Sequence, residues 1–170
     1  ASAFDGLPET SIVINPGASL TYFYANVEPG TYLYHCHVEA TEHMQMGMLG
    51  NLYVHAARDK QVYGGTRHFA YNDDDDSTEY NVEVALQLGS MDREFHDLHE
   101  AVQPLPFALM QDDYPMINGR GYPDTVKTML FDNGDGKQTQ KVSSLVTAAP
   151  GQKILIRLSN LSVTQFFTFA

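Results

Sequence analysis

Apolar and polar positions alternate through much of the chain and mark out short extended segments. In residues 20–27, Leu20, Tyr22 and Tyr24 fall on one face and Thr21, Phe23 and Ala25 on the other. Successive side chains of a strand point to opposite faces. This stretch and residues 11–14 therefore predict two strands, joined by the turn formers Asn15, Pro16 and Gly17. Glu28, Pro29 and Gly30 predict a second turn. Tyr32, Leu33 and Tyr34 then favour an extended backbone over residues 31–37. A fourth strand is predicted over 49–54.

The pattern resumes at 81–88, where Val82, Val84, Leu86 and Leu88 alternate with Asn81, Glu83, Ala85 and Gln87. Ser90 or Asp92 is placed to cap a short helix running through His99, and Pro104 and Pro106 end it. Turn formers crowd residues 113–125. Further strands are predicted at 126–131, 142–146, 153–158 and 163–169, with turns at 132–136 and 149–151. In the 153–158 strand Ile154, Ile156 and Leu158 face one way, and Lys153, Leu155 and Arg157 the other.

The chemistry concentrates between Gly30 and Gly50, which hold the single cysteine, three of the seven histidines and three of the seven methionines. On an extended backbone His35 and His37 look to one side and Cys36 to the other. One tripeptide can thus touch two metal sites on opposite sides of the same strand. A thiolate, imidazoles and a weak thioether form a soft set that suits electron-transfer copper. Cys36, His43 and Met48 supply three members of such a set. Gly47 lets the loop fold back. Met44 and Met46 compete for the axial place, but Met48 leads directly into the next strand. A buried free cysteine among surface histidines is the plainer reading, and it has to treat the coincidence of these residues as chance.

Residues 30–50 resemble the copper-ligand motif of multicopper oxidases, the laccase-like enzymes built from cupredoxin domains. The Cys-to-His interval is two residues longer here than in common three-domain laccases. The resemblance implies type 1 copper at Cys36 and His43 with Met48 axial. It also implies type 3 copper of a trinuclear cluster at His35 and His37, where dioxygen is reduced to water. His35, Cys36 and His37 would carry the catalytic electron path. The implied fold is all-β, a cupredoxin-like Greek-key β-sandwich present as two incomplete domains. Residues 1–56 would be the C-terminal half of a copper-binding domain, 57–80 a linker, and 81–170 the N-terminal half of a second domain without copper ligands. The strand ending in Asn118-Gly119 is similar to the segment that opens the family's middle domain.

No histidine occurs before His35, so a second type 1 imidazole and the remaining cluster ligands are expected from the remainder of a longer polypeptide. The sequence is accordingly expected to be a piece of one. Three functions compete. An oxidase takes electrons from a small-molecule or metal-ion reductant and passes them to dioxygen. A nitrite reductase or simple carrier uses the type 1 copper without needing His37. A metal-free structural role asks only that the piece pack into a larger assembly, and an oligomer fits any of the three.

Charge and composition narrow this further. A net charge of −11 disfavours nucleic acid, which needs a basic surface. No apolar run has the length of a membrane span. One cysteine allows no internal disulfide, and metal ligation gives an odd thiol a purpose. Residues 1–5 lack the basic start and apolar core of a signal peptide, so a secreted, periplasmic or cell-surface location is implied by the resemblance alone. The acidic run Asp73–Asp76 reads as a solvated loop; a calcium loop would need a glycine and a distal ligand that are not there. His96 and His99, three apart, share a helical face that could bind metal but more ordinarily meets solvent. Asn160-Leu-Ser162 matches the short glycosylation motif.

Overall fold

The computed structural model describes residues 14–25, 27–61, 67–98, 101 and 104–169. Strand β1 (Gly30–His35) starts at the glycine of the predicted turn and pairs antiparallel with β2 (Leu49–Val54), Gly30 opposite Val54 and His35 opposite Leu49. The Tyr34 ring lies over Gly50 and leaves no room for a Cβ there. The connection carries helix α1 (Ala40–Gln45), entered through Glu39 in the left-handed region. Gly47, at φ 92°, turns the chain out of it.

Helix α2 (Arg58–Gln61) and the short pair β3 (His68–Phe69) and β4 (Glu79–Tyr80) follow. Phe69 is fully buried, with the guanidinium of Arg58 4.5 Å and that of Arg67 5.2 Å from its ring centre. Asp73 holds Arg58 at 3.1 Å and Asp76 holds Arg67 at 3.1 Å, while Arg58 also pairs with Asp76. The acidic run is therefore tied down at both ends, and only Asp74 and Asp75 meet solvent freely. The solvated-loop expectation fails for Asp73 and Asp76 because two arginines outside the run converge on them.

Strand β5 (Val82–Met91) is the centre of the largest sheet among the described residues. It pairs antiparallel with β6 (Tyr114–Ile117) and parallel with β9 (Ile154–Asn160). Asp92 caps α3 (Arg93–Leu98), its Oδ1 accepting the Phe95 amide at 2.9 Å. Phe95, Leu105 and Met110 form a small apolar core on which Val163 packs. Asn118 and Gly119 turn the chain after β6, both at positive φ. A one-turn helix, Asp124–Val126, and the hairpin of β7 (Phe131–Asp132) with β8 (Gln138–Thr139) lie beyond. Arg120, fully buried, gathers this region by donating to the carbonyls of Gln140, Lys127 and Met129.

Strand β9 keeps the predicted alternation, and its polar face is the covered one. Arg157 and Ser159 are buried, whereas Ile154, Ile156 and Leu158 are about two-fifths exposed. The reason is what packs against them. The β1–β2 hairpin sits on the polar face, with Arg157 Nη1 donating to Thr31 Oγ1 at 3.2 Å and Ser159 Oγ to Asn51 Oδ1 at 2.9 Å.

Four predicted strands are not formed as expected. Residues 20–25 have no ladder partner, and Phe23 is 88% exposed. Residues 11–13 lie outside the described chain. The 126–131 stretch is a helical turn followed by irregular backbone until β7, and 142–146 is irregular, fastened by Ser144 N to Thr125 O at 2.8 Å. At 163–169, bonds from Asp112 N to Thr164 Oγ1 and from Thr164 N to Asp112 Oδ2 stand in place of a ladder. β1 stops at His35, two residues short of expectation. β propensity without an adjacent edge to pair with does not make a strand. Few short helices and several small sheets give an all-β, cupredoxin-like fold. No described helix is long and apolar enough to cross a membrane.

Candidate metal centre

Two backbone bonds close the loop between the strands: Cys36 N donates to Met48 O at 3.0 Å, and Met48 N to His43 O at 2.9 Å. His43 sits in α1 one turn after Glu39, whose carbonyl takes the His43 amide at 3.1 Å. These constraints bring Cys36 Sγ within 3.3 Å of His43 Nδ1. Both side chains are half-buried. A metal bound about 2.3 Å from sulfur and 2.0 Å from nitrogen at a tetrahedral angle would hold the two about 3.5 Å apart. The pair fits a thiolate–imidazole metal site. The Cys36 thiol donates to Val38 O at 3.0 Å, a bond it must give up with its proton to ligate.

His35 and His37 lie side by side, their ring centres 6.2 Å apart and their planes nearly perpendicular. His35 Nδ1 is 2.7 Å from Cys36 O. A carbonyl only accepts, so Nδ1 carries the proton and Nε2 keeps its lone pair for a ligand. Met48 enters through its backbone, and its side chain is exposed, as is that of Met46.

The remaining described histidines are held elsewhere. His55 faces Glu83 at 3.5 Å, and His68 faces Asp59 at 3.2 Å and stacks on Tyr80. His96 Nε2 is 2.8 Å from Gln45 Oε1, and His99 lies outside the described residues. The acids near the centre, Glu39 and Glu42, group with His43, their ligand atoms within 4.8 Å of one another.

Residues 1–59 match the family model of multicopper oxidases. That stretch contains β1, α1, β2 and the Cys36–His43 pair. The match supports a multicopper oxidase role for the chain and implies copper binding by a copper-dependent oxidoreductase. No curated protein and no solved structure matches the chain significantly.

Sequence reasoning missed Gln45, the buried residue that ties helix α1 to the rest of the chain. Its amide reaches the Asp92 backbone, His96 and Asp112. A glutamine on a short helix reads as a surface residue, and nothing in the local pattern marks it otherwise.

Proposed function

We propose that the chain is part of an oxidase that takes single electrons from a phenolic, metal-ion or similar reductant and delivers them to dioxygen. Cys36 and His43 would hold a type 1 copper with Met48 as axial ligand, and His35 and His37 would hold type 3 copper of a trinuclear cluster. Copper in such sites supplies one-electron redox chemistry and the reduction of dioxygen to water. The observation that carries this reading is the 3.3 Å approach of Cys36 Sγ to His43 Nδ1.

The chain's own residues supply the connection. Cys36 shares peptide bonds with both flanking histidines, so its sulfur is joined to each imidazole by a short covalent path. The His35 Nδ1–H bond to Cys36 O adds a second, shorter link on one side. His37 has no use in a carrier or nitrite reductase, and its ring beside His35 favours the oxidase. A second type 1 imidazole and further cluster ligands would come from the remainder of the polypeptide. In this arrangement residues 1–56 form the copper-binding unit, 57–80 the connection and 81–170 a second unit without copper ligands. A secreted, periplasmic or surface location goes with this reading, as does an acidic surface with no nucleic-acid partner.

The exposed Ile154, Ile156 and Leu158 favour a second reading, a metal-free packing role in a larger assembly. Copper titration of the intact protein separates the two. The oxidase reading expects an intense visible copper–thiolate absorption that Cys36→Ser abolishes, and oxygen consumption that His37→Ala abolishes. A copper–thiolate absorption without oxygen consumption would point to a carrier, oxygen consumption surviving His37→Ala would remove His37 from the cluster, and no copper-dependent absorption at all would point to the packing role.

A further inference from the structure

We propose that Gln45 is a positioning residue: it fastens the helix carrying His43 to the second unit and thereby sets the Cys36–His43 approach. This rests on reading those two residues as a ligand pair. Helix α1 has six residues and no side-chain cap at its N-terminus. A helix this short has no stability of its own, so contacts outside it fix where His43 stands.

Gln45 supplies such contacts two residues after His43, and it is 8% exposed. Its Oε1 accepts the Asp92 amide at 3.1 Å and lies 2.8 Å from His96 Nε2. Its Nε2 donates to Asp112 Oδ1 and sits 3.5 Å from Met110 Sδ. A backbone amide only donates and an ionised carboxylate only accepts, so the orientation of the Gln45 amide is settled. His96 must then carry its proton on Nε2. The Gln45 amide thus presents an acceptor to one neighbour and a donor to the other.

The anchor is itself rigid. Asp112 Oδ2 accepts from Ser90 Oγ and from Thr164 N at 3.1 Å. The Asp112 amide donates to Thr164 Oγ1 at 3.1 Å, and its carbonyl accepts from Gln165 Nε2 at 2.8 Å. Asp92 is fixed in turn as the cap of α3. Gln45 therefore joins the His43 helix to a node built from β5, the segment before β6 and the segment after β9. A unit with no copper ligand of its own would thus help to shape the copper site.

The test uses the full chain without metal, reading the alkylation rate of the single cysteine and the hydrogen exchange of the Cys36 and Met48 amides. Gln45→Leu keeps the volume and removes the amide. Loss of a charge-assisted hydrogen bond shifts a local equilibrium by about tenfold, so alkylation should quicken by about that factor. Asp112→Asn, on the other unit, should shift both readouts in the same direction. Ser159→Ala breaks a different contact between the units, to Asn51, and should leave both unchanged. Equal effects from all three variants would overturn the proposal in favour of general loosening, and a folded Gln45→Leu that reacts like the parent would overturn it outright. Should Gln45→Leu not fold, Asp112→Asn against Ser159→Ala decides. With copper(II) added, Gln45→Leu should also move the copper–thiolate band. An intact parent protein, with the remaining ligands supplied, that shows no such band while the alkylation change is present would sink the copper reading and leave the positioning role standing.

Discussion

The sulfur of Cys36 and Nδ1 of His43 lie 3.3 Å apart, although one follows strand β1 and the other rides on a helix. The loop between them is held by Cys36 N on Met48 O and Met48 N on His43 O. If this pair takes copper, the thiolate is shielded while the metal is bound. Copper should suppress Cys36 alkylation, and a chelator should restore it. His43→Ala should weaken copper retention with little change in thermal stability. Mass spectrometry of the alkylated chain, with and without copper, reads both.

Arg120 holds together the region between β6 and β8. Its guanidinium is fully buried and satisfied by backbone carbonyls, among them Gln140 at 2.8 Å and Met129 at 3.2 Å. It also lies 4.9 Å from the centre of the Phe131 ring. Arg120→Met leaves several carbonyls without a donor and should cost roughly 3 kcal/mol or more. Arg120→Lys should recover only part, because an ammonium cannot fork between acceptors as a guanidinium does. Urea denaturation of the two variants measures the difference.

Asp92 predicts an acid-side loss of stability. Burial pushes its carboxyl up, but the amides of Gln111 and Phe95 and the nearby His96 outweigh this and hold it below the ordinary range. A carboxylate depressed in the folded state contributes stability above its unfolded pKa, about 3.9, and loses it as the pH falls through the folded value. Asp92→Ala should cost about 1 kcal/mol at neutral pH through loss of the cap. The gap between parent and variant should narrow in strong acid, as followed by circular dichroism from pH 6 downward.

Phe69 is fully buried, held between Arg58 and Arg67. Phe69→Ala should cost roughly 3–5 kcal/mol by cavity formation, read as a lowered thermal midpoint. Arg67 also hydrogen-bonds Glu79 at 2.6 Å and holds that carboxyl below its usual range. The Arg67 pairs are part-exposed, so salt should screen them. Arg67→Ala should accordingly show a smaller effect than Phe69→Ala, and one that shrinks at high ionic strength.

Much of the local structure was legible because it depends on neighbours in the chain. The bounds of β2, the cap at Asp92 and the turns at Gly17 and Gly151 follow from propensity and turn chemistry, while the short strand before Asn118 is expected only from the family resemblance. Residues 20–25 and 142–146 carry the same β signals and form no strand, since a ladder needs a second edge that the pattern cannot supply. The acidic run misled for a similar reason: its partners Arg58 and Arg67 lie outside it, and the local pattern does not record that they fold onto it.

The amino-acid order alone determined that His35 and His37 flank Cys36, and that alternate positions of β5 and β9 share a face. Those are consequences of backbone geometry and hold wherever the segment extends. Only the tertiary structure decided that the polar face of β9 is the covered one, because the β1–β2 hairpin brings Thr31 and Asn51 to meet Arg157 and Ser159. It alone brought Cys36 to His43 and Gln45 to Asp112. Burial and polar pairing belong to surfaces that meet in space, and sequence spacing does not record which surfaces those are.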